Sequence, residues 1–352
     1  MKYLEIGSLH VSPMLNSQII MRRLILKYKN VAGSLCKRFG DQKRELTTSE
    51  ILMLLKTPTY RLLLEKTFSE LKGRKFPKHL NFEPLELLTI NCNSLLDISL
   101  HSQNNLISPA PFITSLFEPV SENNTNFNIS NSVLTKMFYN LDIFSNVSSK
   151  WYLKYPSDTD REILKKTLLQ LGRISIEPVE DIAFNIRFIC LLSLSTSNQQ
   201  SPHGINLTFP FFPGIIFFGG NIITEPTKLI EALYHESLHN KWINTFNAFN
   251  LIKFELLESV KNFKCLWSKE FQPKEWPFMR AAAAYHVYGH LLSLHQLIIK
   301  KGEFDANWSN KRIFEIKQKF KILNTYILQS EKALTEQGKE YFILINKISQ
   351  MT

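Results

Sequence analysis

LIEALYHESLHNKW, residues 229–242, decides how the rest of the chain is read. It reads as a helix, with Pro226 near its start, where a missing N–H does no harm. Inside it, His235-Glu236-Ser237-Leu238-His239 forms an HExxH motif. Side chains four apart project from one helix face, so both imidazoles can grip one metal ion. Glu236 is turned away by about 100°. That places it beside the metal's open position, where it can take a proton from bound water or hold a ligand by hydrogen bonding. Five of the nine histidines fall between 235 and 295, which concentrates the metal-binding chemistry in this part of the chain.

Two histidines rarely hold a catalytic metal, so a third ligand is needed. The extension HExxHxxGxxH is absent, because Trp242 and Thr245 stand where its Gly and third His belong. One candidate is Glu258, 19 residues after His239. That spacing resembles the zinc aminopeptidases, although LLESVKNF lacks their Asn-Glu-Gly context and the chain has no Gly-x-Met-Glu-Asn stretch. The other is His286, in WPFMRAAAAYHVYGHLLSLHQ, a helix bracketed by Pro277 and Gly302. Its Ala281–Ala284 face is small enough to let a neighbouring helix come close. His286 and His290 share one side of this helix, and His295 points elsewhere. We read His286 as the ligand, His290 as its support or a substrate-facing residue, and His295 as structural.

Outward from the motif, 159–172 reads as a helix, and so do 251–264, 278–300 and 311–348. The stretches DIAFNIRFICLLSLS and NLTFPFFPGIIFFGG, rich in Ile, Phe and Leu and bounded by turn residues, read as buried strands. Residues 17–72 have helical apolar spacing, and the polar stretch 119–131 reads as a loop. The expected fold is α+β, mainly helical, with a small β-sheet packed beside the HExxH helix. Residues 1–175 form an N-terminal region suited to peptide docking and 176–352 the metal-binding region, or the two make one continuous domain.

Composition narrows the function classes. At 352 residues, with 44% apolar and 21% charged, the chain has an ordinary globular balance. Its apolar runs fall well short of the roughly 20 residues of a membrane span. The first residues carry no secretion pattern, and Cys36, Cys92, Cys190 and Cys265 form no CxxC, which fits a reducing cytoplasm. Most of the +11 formal charge lies between Arg22 and Lys78, where 15 Lys/Arg face 5 Asp/Glu. This is either a solvated helical face or a docking surface for an acidic partner. The basic residues alternate with Leu and Ile rather than aromatics, so nucleic-acid binding is not expected.

The order of features resembles a known family. A Pro-Gly-apolar strand, a loop and an HExxH helix come first; some 45–50 residues later a Trp/Arg lead-in reaches a helical His. PGIIFFGGNIITEPTKLIEALYHESLHNKW (213–242) and WPFMRAAAAYHVYGH (276–290) resemble the HExxH-type peptide β-hydroxylases. These enzymes accompany clusters that make ribosomally synthesised, post-translationally modified peptides. The resemblance covers roughly 180–300, about a third of the chain. It implies hydroxylation at Cβ of a peptide side chain, dependent on Fe(II), 2-oxoglutarate and O2, with His235, His239 and His286 on the iron. Arg280 is then the cation for the distal carboxylate of 2-oxoglutarate, with Arg187 its rival. The family's Arg-Pro pair before the third histidine is replaced here by Pro277-Phe278-Met279-Arg280. An acidic leader of the precursor would dock on Arg22, Arg23, Lys27, Lys37 and Arg38. A three-histidine site also suits Zn(II). The alternative is therefore a zinc peptidase with Glu236 as general base and Glu258 or His286 as third ligand. A non-catalytic scaffold is the third reading.

Overall fold

The structure is a computed structural model that describes residues 14–38, 106–107, 151–154, 157–186, 188–194, 206–208, 214–219, 221–268 and 274–350. The expected loop at 119–131, Arg187, and the helical pattern beyond Arg38 lie outside these residues. The described part is a mainly helical α+β fold. Its elements are α1 (Ser17–Arg38), β1 (Leu106–Ile107), β2 (Trp151–Lys154), α2 (Asp158–Ile174), α3 (Ile176–Asn185), β3 (Phe188–Leu194), β4 (Asn206–Thr208) and β5 (Ile215–Gly219). Then come α4 (Pro226–Ala248), β6 (Phe263–Lys264), β7 (Glu275–Trp276), α5 (Phe278–Lys301), α6 (Ala306–Gln329) and α7 (Glu336–Gln350). Among the described residues no helix is long and apolar enough to cross a membrane.

The chain divides into two units interleaved in sequence, one holding 21–169 and 183–229, the other 1–20, 170–182 and 230–352. The first contains a five-stranded sheet. At its centre β3 pairs in parallel with β5 (Phe188↔Ile215) and antiparallel with β1 and β2, and β4 closes the edge on β5. All five residues of β5 are buried. The continuous apolar runs FICLLSL and IIFFG are what a strand covered on both faces requires.

The second unit is built on helices. In α5, a tight approach occurs at Gly289, where a Cβ would meet Ile345 Cγ2 of α7 at 2.5 Å. Gly302 ends α5 in the left-handed region (φ 67°), its N–H donating to the Ile298 carbonyl. Asp305 caps α6 by accepting from the Trp308 N–H at 3.0 Å.

Three expected elements come out differently. Residues 181–185 end the helix α3 rather than begin a strand, because Val179 and Ile182 bury one helical face. The stretch 251–264 is a 3₁₀ turn (Phe254–Ser259) followed by β6, since that turn buries no residue and has no apolar face to hold a longer helix. The run 311–348 breaks between α6 and α7. There the Lys253 N–H donates to the Ala333 carbonyl, and the Thr335 N–H to that of Leu251. The bridge Ile252↔Leu334 lies between them, so the chain must straighten.

Candidate metal centre

Helix α4 carries the motif, and the geometry of its two histidines is that of a ligand pair. The Nε2 atoms of His235 and His239 lie 3.1 Å apart, the rings edge to face with centroids 4.8 Å apart. Two nitrogens each about 2.1 Å from one metal, at an angle of roughly 95°, span this same distance. Both rings are half-buried, and His235 keeps 30% of its side-chain surface open, so the pair is reachable from solvent. Burial drives the His235 pKa down to about 4, opposed by Glu231 and reinforced by Arg312 and Lys319. His239 is pushed well below the ordinary range by burial, by His235 and by Arg280. Both imidazoles are thus neutral at pH 7, the form that binds metal.

Glu236 is 3% exposed, and its Oε1 lies 4.0 Å from His235 Nε2. Burial raises its carboxyl to about 8, so without a cation beside it the group stays protonated near neutrality. A divalent ion at the histidine pair would draw it back toward the carboxylate. The donor set and the half-open setting therefore fit a divalent metal on one edge of its coordination shell.

His286 and His290 repeat the i, i+4 arrangement on α5, with centroids 4.7 Å apart, but both are fully buried. His286 Nδ1 lies 2.6 Å from the Tyr341 hydroxyl of α7, and its Nε2 makes no hydrogen bond. The ring packs near Trp242 of α4 (6.0 Å) and stacks on Tyr341 (5.9 Å). Burial depresses its pKa strongly, Lys241 and His239 add to this, and the Leu238 carbonyl opposes it. His290 Nδ1 lies 3.5 Å from the Tyr234 hydroxyl. Among the described residues no three of His, Cys, Asp and Glu are gathered in a group that could hold a metal ion. The structure brings together His235, His239 and Glu236; it does not gather His286 with them into a ligand set. Glu258 is exposed on its 3₁₀ turn.

Two buried networks brace this arrangement, and sequence reading missed the residues that anchor them. Lys241, 1% exposed, donates to both oxygens of Asp181 at 2.9 and 2.8 Å, and Ser17 Oγ donates to Asp181 at 2.8 Å. Tyr234 reaches the same carboxylate at 3.5 Å. On the other side, Arg312 donates to both oxygens of Glu231, and His295 Nε2 lies 2.9 Å from Glu231 Oε2. Burial alone would raise Glu231, but hydrogen bonds from His295 and Arg312 override it and hold the carboxyl at about 2. Glu231 sits one helical turn before His235, a spacing visible in the sequence; nothing in the sequence pairs Asp181 with Lys241 or Tyr341 with His286.

Arg280 is exposed, with its guanidinium 4.6 Å over the Trp276 ring, and its charge bears on His239. Compared as a sequence, the chain matches no family model and no curated protein.

Proposed function

We propose that the protein is an iron(II)- and 2-oxoglutarate-dependent hydroxylase acting at Cβ of a side chain in a ribosomally made precursor peptide in the cytoplasm. The observation that carries this reading is the neutral, half-open His235–His239 pair, with the Arg280 charge bearing on His239. A cation whose charge reaches a metal-ligand pair suits a carboxylate-bearing co-substrate. Glu258, the carboxylate candidate of the peptidase reading, is exposed on its 3₁₀ turn.

When bound, iron(II) with 2-oxoglutarate and O2 supplies the oxidation, converting C–H to C–OH while the co-substrate becomes succinate and CO2. The chain's own residues bind and orient. His235 and His239 offer Nε2, and His286 is the proposed third ligand through its unbonded Nε2. With Nε2 on a metal, His286 Nδ1 carries the proton and donates it to the Tyr341 oxygen, the outer hydrogen bond that fixes ring orientation. Glu236 presents its carboxyl beside the pair and hydrogen-bonds ligand or water there. Arg280 takes the distal carboxylate. On α1, Arg22 and Arg23 are exposed while Leu24, Ile25 and Tyr28 are buried, which gives an acidic leader a basic helical face.

The test is anaerobic titration with Fe(II) followed by 2-oxoglutarate in a visible spectrometer. A charge-transfer band that saturates with 2-oxoglutarate and is lost in His235→Ala supports the reading. No band, with Zn(II) bound and peptide cleaved in the absence of oxygen, would transfer the site to hydrolysis with Glu236 as base.

A further inference from the structure

Helix α6 buries one face and leaves the other open along its length. Ile316, Phe320, Leu323 and Ile327 are buried. On the opposite side Lys311, Phe314, Lys317, Lys321, Thr325 and Leu328 are all exposed. At about 100° and 1.5 Å per residue, these six fall within about 120° of arc and form one stripe about 25 Å long. Ile322 borders it. Phe314 and Leu328 are 66% and 63% exposed, and Ile322 38%. The other large apolar residues left open among the described ones, Leu26, Phe254, Leu266 and Ile343, stand singly on separate elements. The stripe is also of one sign. Glu315, the only carboxylate of α6, is turned to the side and taken by Arg312.

Lysines are well solvated, but Phe314 and Leu328 gain by leaving water. They stand two heptads apart, offset by only about 40°, which is the spacing at which one helix meets another. Charge then selects the partner. The chain carries a formal +11, so a second copy would set lysine against lysine. A lipid surface takes up a helix whose broad apolar face is turned outward, whereas α6 turns its broad apolar face into the core. An acidic helix fits both features, with apolar side chains for Phe314 and Leu328 and carboxylates for the lysines between and beside them.

We infer that the outer face of α6 is a docking surface for an acidic amphipathic helix of a second polypeptide. The surface uses no metal ligand and does not depend on the hydroxylase reading.

The probe is a fluorescein-labelled synthetic peptide of about 20 residues, long enough to span the stripe as a helix, with Leu at the a and d positions of its heptads, Glu at the flanking ones and Ala elsewhere. It is titrated against the full chain by fluorescence anisotropy. Saturable binding is expected, weakening as salt is raised. A peptide of the same composition in scrambled order should bind at least about tenfold more weakly, because its apolar residues no longer share a face. Phe314→Ser with Leu328→Ser, and Lys317→Glu with Lys321→Glu, should each weaken the ordered peptide at least about tenfold. All four positions are exposed, so the melting temperature should hold, and Lys347→Glu, at an exposed lysine on α7, should leave binding unchanged. No saturable binding, or equal affinity in either double variant, overturns the surface. Loss of binding in Arg22→Glu with Arg23→Glu, with the α6 variants unaffected, overturns it by moving the peptide to α1. Binding of phosphatidylserine vesicles that the α6 variants abolish, with no binding of the peptide, overturns it by giving this face to a membrane.

Discussion

Helices α4 and α5 each carry two histidines four residues apart, and the two pairs have nearly the same ring separation, 4.8 and 4.7 Å. Their surroundings make them chemically different. The α4 pair is half-open, and its Nε2 atoms point at each other across 3.1 Å. The α5 pair is sealed, and each Nδ1 faces a buried tyrosine hydroxyl, Tyr341 or Tyr234. Helical spacing places two imidazoles side by side. Whether they hold an ion together or sit in the core depends on what meets the rings from other elements. The open pair leaves a shared point to be filled, while the sealed pair is braced from behind.

That contrast breaks most severely if its bracing is cut. Asp181→Ala leaves the Lys241 ammonium buried without its carboxylate, and should cost about 3–5 kcal/mol in chemical denaturation. Asp181→Leu combined with Lys241→Met should recover most of this, because an apolar pair strands no charge. A loss under about 1 kcal/mol in the single variant would show that the sealed side does not depend on the pair.

The network beside the open pair gives the next largest effect, with a pH signature. Glu231 is held at about 2 in the folded chain, against an ordinary 4.5. A depressed folded pKa stabilises above the unfolded value, and that stability is lost as pH falls through the folded one. The contribution, about 3 kcal/mol, is therefore full above about pH 4.5 and disappears toward pH 2. Glu231→Gln should lower stability by about that amount at pH 7 and flatten this acid limb. An unchanged acid limb in the variant would assign the slope to other carboxylates.

His239→Ala sharpens the difference between the pairs themselves. It should weaken Fe(II) binding at least about 100-fold while costing little stability, because the ring is half-exposed and its Nε2 faces only His235. His290→Ala should do the opposite, opening a cavity in the core and costing about 2 kcal/mol with metal affinity kept within about threefold. If both variants lost metal equally, the two pairs would be parts of one site.

Much of this was legible before any coordinates. The HExxH spacing places His235, Glu236 and His239, and Pro277 and Gly302 bracket α5, because these signals are local in sequence. The break at 330–335 was not legible, since it serves pairing with Leu251–Lys253, some eighty residues away. Residues 181–185 misled because Ile and Phe suit a buried strand and a buried helix face alike; only packing at Val179 and Ile182 decides between them. The partners of His286 and Lys241 were invisible for the same reason. Tyr341 and Asp181 reach them through the fold, and no spacing rule connects residues 55 or 60 apart.

The smallest expected effect is also the most discriminating. Tyr341→Phe deletes one oxygen, keeps the ring stacked on His286 and leaves Trp242 its neighbour. If His286 is only a core residue, the change costs about 1 kcal/mol for a lost buried hydrogen bond and leaves metal binding alone. If His286 carries its Nε2 to the metal, the Tyr341 oxygen accepts the Nδ1 proton and fixes the tautomer, and Fe(II) affinity should fall about tenfold besides. His286→Ala alone cannot make this distinction, because a cavity and a lost ligand both weaken the site. A tenfold metal effect with a small stability change therefore joins the sealed pair to the open one, and a stability change alone keeps them apart.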